Sequence, residues 1–225
     1  MSYIEADEMA SFKMNLFNNV FSKDYINDFN HQIKCVKDSV ITLEEAIKLL
    51  EKECIPEMKD KCKIVLELEN EGKSYEDKLK QNLDKALLLG PNGTKYGEIS
   101  SIIGNIGQKT RSVSDILVNL KEEKFPNELI KDLVKLVETN ESITREIYLM
   151  MKKIEDADND KIDRFSKKIL KKKNEAEELT DLLLNNFIKK AEKDNLSETF
   201  QSIITILKKI PEDANNVAQI INRQL

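Results

Sequence analysis

Tryptophan is absent from this 225-residue chain, and it holds only six glycines and four prolines. With so few helix-interrupting residues and so much Lys, Glu, Leu and Ile, the composition is that of long helices, not of a sheet. Histidine occurs once, at His31, too few for a zinc site. The three cysteines, Cys35, Cys54 and Cys62, are odd in number and lack Cys-x-x-Cys spacing. They are expected to be reduced core residues of a cytoplasmic protein. No apolar run approaches about 18 residues, so no segment is expected to span a bilayer. A positive excess is missing too: the net charge of −5 gives no electrostatic reason to bind DNA or RNA. Glu5, Asp7 and Glu8 stand where a secretory signal would be basic.

What is present is helical periodicity. The chain is 40% hydrophobic and 34% charged, and its apolar positions recur almost throughout, which excludes disorder. Six runs repeat three and four residues apart. The first goes from Phe29 to Cys54 and stops at Pro56, and the second from Val65 through Leu68, Gly72, Tyr75 and Leu79 to Ala86. Gly90-Pro91-Asn92-Gly93 reads as the turn that ends it. The third covers Ile99 to Leu120, the fourth Leu129 to Ile154, the fifth Ile162 to Phe187 and the sixth Phe200 to Ile221. This spacing is the seam of a bundle. Short connections make neighbours antiparallel, so an up-and-down bundle is expected. Met9, Phe12, Leu16, Phe17, Val20 and Phe21 outline a shorter amphipathic segment ahead of it, suited to capping the bundle, joining a dimer or touching a membrane, with capping the plainest of the three.

Four segments share a small signature: a variable position followed, at the third and fourth residues after it, by a small residue and a polar one. They are Leu68-Glu69 with Gly72-Lys73, Ile106-Gly107 with Thr110-Arg111, Lys172-Lys173 with Ala176-Glu177, and Leu207-Lys208 with Pro211-Glu212. Residues four apart share a helical face, so each segment sets a polar pair along the edge of its apolar stripe. The third is the loosest copy, because Lys172 replaces an aliphatic residue. The first and third lie 104 positions apart and the second and fourth 101, which exposes an internal repeat. The expected organisation is a single domain over 1–225. Repeat one runs from about 25 to 124, repeat two from about 125 to 225, and 1–24 is the N-terminal segment.

With this plan, and in the stretches Leu66 to Tyr75 and Ile206 to Ile220, the chain resembles the PhoU-like phosphate transport regulators, in particular the short branch associated with Pit-type phosphate carriers. Leu207-Lys-Lys-Ile-Pro-Glu-Asp-Ala-Asn-Asn-Val-Ala218 is similar to that family's final helix, and Leu16-Phe17 to Phe29 to its start. The resemblance implies a PhoU-like all-α fold: an elongated up-and-down bundle of six long helices in two three-helix repeats, with a short N-terminal helix. It also implies a non-enzymatic accessory or regulator of inorganic phosphate transport, acting by contact with a phosphate transporter or sensor. A homodimer follows from it, in the cytoplasm and close to the inner face of the membrane through the transporter. The alternative is a structural or adaptor bundle that kept the scaffold and lost the phosphate role.

Members of the family place Glu or Asp at both variable and polar positions of each signature, where the carboxylates hold iron or zinc. Carried over residue by residue, acids remain here only at Glu69, Glu177 and Glu212, while Lys73, Gly107, Arg111, Lys173 and Lys208 depart from the pattern. No metal or other cofactor is therefore expected, since four cations among eight positions repel a multivalent ion. The expectation is that Lys and Arg replace the metal, holding the surface by salt bridges within and between helices. Glu69 preceding Lys73 has the favourable helical orientation. Lys173-Glu177 and Lys208-Glu212 have the weaker one, which points to cross-helix partners. An anion such as phosphate, captured by Arg111, is the other occupant such a surface would suit.

Other signals have plainer readings. The basic run from Lys161 to Lys173 could dock on an acidic membrane surface or partner loop, but its plainer reading is a solvated face, diluted by Asp158, Asp160 and Asp163, with Lys172 snorkelling from the seam. Pro211 must remove the helical bond to the Leu207 carbonyl. Asn140 on the fourth seam is either a register-setting residue or an incidental polar one. His31 lies off the seam, at the surface. There is no Glu-x-x-His pair, no HExxH and no GxSxG, and Gly90 to Gly93 lacks the Lys and Ser/Thr of a phosphate-cradling loop. No enzymatic activity is expected.

Overall fold

The protein is described by a computed structural model covering residues 23–86, 91–120, 125–154, 159–194 and 198–224. The N-terminal amphipathic segment expected over 1–24 lies almost wholly outside the described residues. The helices are α1 (Lys23–Glu51), α2 (Ile55–Ala86), α3 (Pro91–Val118), α4 (Asn127–Ile154), α5 (Asn159–Asp194), α6 (Glu198–Leu207) and α7 (Lys209–Gln224). There are no strands among the described residues. α6 and α7 are the halves of the sixth long helix, parted at Lys208, so the expected six helices appear with the last one broken.

Three of the described helix ends have a local cause. α1 closes with Glu53 in the left-handed region at φ 57°. The Cys54 amide donates to the Leu49 carbonyl and the Glu53 amide to that of Leu50. This Schellman closure is one that glycine favours and glutamate fills here. Pro56 then sits in the first turn of α2, where a missing N–H costs nothing. The same rule corrects the turn expected at Gly90 to Gly93. Pro91, Asn92 and Gly93 are the first residues of α3, with proline at its opening position. The Pro126 carbonyl accepts from Leu129 and Ile130 and starts α4.

Pairs of contacts fix the helix directions. α2 runs against α1, since Lys61 meets Glu45 and Tyr75 meets His31. α3 runs against α2, since Lys59 reaches the Leu120 carbonyl and Arg111 reaches Glu69. The second unit repeats the pattern: α5 opposes α4 through Ser142–Lys172 and Glu128–Lys190, and α6 opposes α5 through Phe187–Phe200 and, at the end of α6, Asp181–Lys208. The two three-helix units join along α1–α4 and along α3 with α6 and α7. α1 and α4 are themselves antiparallel, with Lys48 on Glu138 and Lys37 over the Tyr148 ring. Lys109 of α3 pairs with Asp213 of α7, joining the helices that carry the second and fourth signatures.

The seams are the core. Every seam residue of α4, from Leu129 to Ile154, is buried, as is every one from Phe200 to Ile221. α2 departs from expectation. From Val65 to Leu79 its buried positions are Val65, Glu69, Gly72, Glu76 and Leu79, continuing the stripe of Met58 and Cys62, whereas Leu68 and Tyr75 are half-buried. The spacing of four, three, four and three is that of a seam, but two of the five positions in this stretch are carboxylates.

Candidate functional site

Glu69 and Glu76 lie two turns apart on the inner stripe of α2, 8% and 4% exposed. α3 accommodates both with glycine. A Cβ at Gly104 would fall inside van der Waals contact of the Glu76 carboxylate, and one at Gly107 would lie 3.8 Å from Glu69 Cγ and 3.3 Å from Val36 of α1. Gly72 of α2 itself faces Cys35 of α1, where a Cβ would come within 3.3 Å of the Cys35 Cβ. Small residues thus let α1, α2 and α3 converge on this stripe.

Each buried carboxylate is matched by cations. Arg111 Nη1 donates to Glu69 Oε2 at 2.7 Å and to Asn70 Oδ1 at 2.8 Å, and its Nε lies 3.7 Å from Asp115. The hydrogen bond to Glu69 holds the guanidinium pKa above its ordinary value. Lys73 donates to Glu76 at 3.1 Å and Lys80 to the other oxygen of Glu76 at 2.5 Å. Burial opposes the charge of Lys73, but the bond and the field of Glu76 outweigh it and raise its pKa.

The pairing differs from the helical-spacing expectation. Glu69 bonds across to α3 and not to Lys73, and Lys73 turns to Glu76 and Asp77. Arg111, considered as an anion ligand, is bonded to Glu69 and Asn70 instead. In the second unit Lys173 pairs with Glu177 inside α5 at 2.6 Å, although a cross-helix partner was expected. Lys208 does reach across, but to Asp181 at 4.0 Å and not to Glu212. Glu212 is exposed. The first unit therefore joins Glu69 and Arg111 across α2 and α3 beside Gly107, with Lys73 turned to Glu76, while in the second Lys173 and Glu177 pair within α5 and Lys208 meets only the exposed Asp181.

The iron or zinc implied by the resemblance does not fit these residues. Glu69 is taken by a guanidinium, Lys73, Lys173 and Lys208 carry charge of the wrong sign, and Glu212 stands apart. Among the described residues no three His, Cys, Asp or Glu gather as a metal-binding group.

The other residues singled out in the sequence have local partners. Lys172 is half-buried and its ammonium reaches Ser142 Oγ at 2.6 Å. His31 is exposed, stacked on Tyr75 at 5.0 Å, with Nδ1 2.8 Å from the Asn27 carbonyl. Within the basic run, Lys167 pairs with Asp163, Lys168 with Glu146 and Lys171 with Glu175. The cysteines are free. Cys35 and Cys62 are buried, and burial pushes both thiols up to about 11. Gln32, which the sequence did not mark, is fully buried and exchanges hydrogen bonds with Ser100 of α3 at 2.7 and 2.9 Å.

No family model matches the chain, and no curated protein matches it in sequence. Solved structures do match in fold. A PhoU-like phosphate regulatory protein from Shewanella oneidensis MR-1 superposes with a TM-score of 0.75 at 11% identity. A PhoU-like protein from the same organism superposes with the same score at 12% identity. In both cases the match covers 88% of this chain and 97% of the other. This chain has the all-helical PhoU-like fold.

Proposed function

We propose that the protein is a non-enzymatic accessory or regulator of inorganic phosphate transport or signalling, working through contact with a phosphate transporter or sensor. The observation that carries this reading is the fold match to a phosphate regulatory protein over nearly the whole of both chains. Contact through helix faces is the mode a bundle of this kind offers a partner. No helix among the described residues is long and apolar enough to cross a membrane. The reading itself puts the chain in the cytoplasm, beside the membrane only when bound to a transporter. A homodimer belongs to the same reading, and sedimentation of the purified chain tests it.

Deleting the gene in its source cell and following labelled phosphate uptake at low and high external phosphate tests the function. The expected result is an altered uptake rate or an altered response to phosphate, restored by the intact gene. Unchanged uptake and response would leave the scaffold reading, a bundle that kept its architecture without the phosphate role. The departures at Lys73, Gly107, Arg111, Lys173 and Lys208 favour that second reading.

A further inference from the structure

We infer that Arg111, with Lys73 and Lys80, supplies from within the chain the positive charge that the two carboxylates buried between α2 and α3 require, so that this seam is tied together without a bound metal ion. A carboxylate taken from water is unfavourable unless it is paired and hydrogen-bonded. Glu69 and Glu76 occupy inner-stripe positions of α2, where apolar residues would otherwise sit, and are 8% and 4% exposed. Arg111 meets Glu69 from α3 and also holds Asn70, so one guanidinium spans the two helices. Its charge is permanent at any physiological pH. Lys73 and Lys80 close on Glu76 from the turns either side of it. Glycine at 104 and 107 leaves the room these groups occupy. A divalent ion approaching Glu69 would have to displace the guanidinium.

The equivalent positions of the second unit do not form such a seam. Lys173 is satisfied within α5, and Lys208 stands 4.0 Å from an Asp181 side chain that is 71% exposed. The inference thus concerns the α2–α3 seam alone. It states what holds that seam and not what the protein contacts, so it stands or falls separately from the phosphate reading.

The test uses the full chain purified from cells grown with ample iron and zinc. Elemental analysis is expected to find less than about 0.1 metal ion per chain, and Tm is expected to move by less than roughly 1 °C with chelator or with added zinc or manganese. Arg111→Glu places a third carboxylate beside Glu69 and Asp115. That variant is expected to lose about 3–8 °C in Tm and to regain part of it with zinc or manganese. Should it fail to fold, Arg111→Met and the Arg111→Met/Glu69→Gln pair replace it. The single variant is expected to lower Tm, and the double to recover most of the loss. Stoichiometric iron or zinc in the wild type, a Tm lowered by chelator, or an Arg111→Met variant as stable as the wild type would each overturn the inference.

Discussion

The side-chain amide of Asn140 donates to the main-chain carbonyl of Leu207 across 3.1 Å, and both residues are fully buried. Pro211 has no N–H, so the helical partner of that carbonyl is missing, and α6 gives way to α7 at Lys208. An orphaned buried carbonyl is costly, and α4 supplies its donor from the neighbouring helix. The break therefore persists at the middle of a packed unit. Beyond it, Asp213 of α7 pairs with Lys109 of the other unit.

Replacing Asn140 by Ala is expected to destabilise the protein by about 1–3 kcal/mol, the cost of leaving a buried acceptor unpaired. Pro211→Ala returns an N–H four residues after Leu207, so in that background the same Asn140→Ala change is expected to cost clearly less. Urea denaturation of the four proteins measures the coupling. Equal costs in the two backgrounds would show that Asn140 does not serve the carbonyl.

Much of this architecture is written in apolar spacing. The seams of α4 and of the α6–α7 pair are legible because the inward positions there are apolar except Asn140 and Thr144. The freed Leu207 carbonyl was legible from Pro211 alone, but its donor was not, since residues 67 apart meet only through tertiary packing. α2 was misread by one position. Leu68 and Tyr75 are the apolar residues of that stretch, yet Glu69 and Glu76 take the inner places. Apolarity alone misleads where a cation waits on the facing helix. Two acids seven apart, opposite Gly104 and Gly107, were the available signal. The helical pairing rule favoured Glu69 with Lys73 because it knows nothing of Arg111 on α3. Glu53 hid the end of α1 by holding a backbone conformation that usually marks itself with glycine.

Gly104→Ala sets two effects against each other. Alanine favours the helix by about 1 kcal/mol over glycine, but its methyl would displace the Glu76 carboxylate from Lys73 and Lys80. The expected outcome is a small net loss of stability in the wild type. In a Glu76→Ala background the same substitution is expected to stabilise by about 1 kcal/mol, because only the helical term remains. Thermal or chemical denaturation reads both values, and a stabilising Gly104→Ala in the wild type would contradict the placement of Glu76.

The buried thiols predict a pH dependence. Cys35 and Cys62 are pushed up to about 11 by burial, whereas an unfolded thiol ionises near 9.0. Between those values the folded chain keeps protons that the unfolded chain has lost, so stability falls as pH rises through about 9 to 11. Below 9 these two groups contribute no slope. Replacing both with Ser or Ala should flatten the alkaline decline. Alkylation near neutral pH should modify the partly exposed Cys54 well before the other two.

The pairing of Glu69 with Arg111 is tested most directly by a double-mutant cycle over Glu69→Gln and Arg111→Met, with stability measured in the presence and absence of chelator. The structure predicts a coupling of about 1–2 kcal/mol that is the same in both conditions. A coupling near zero, or one that vanishes when chelator is added, would mean that something other than the guanidinium holds that carboxylate between the two helices.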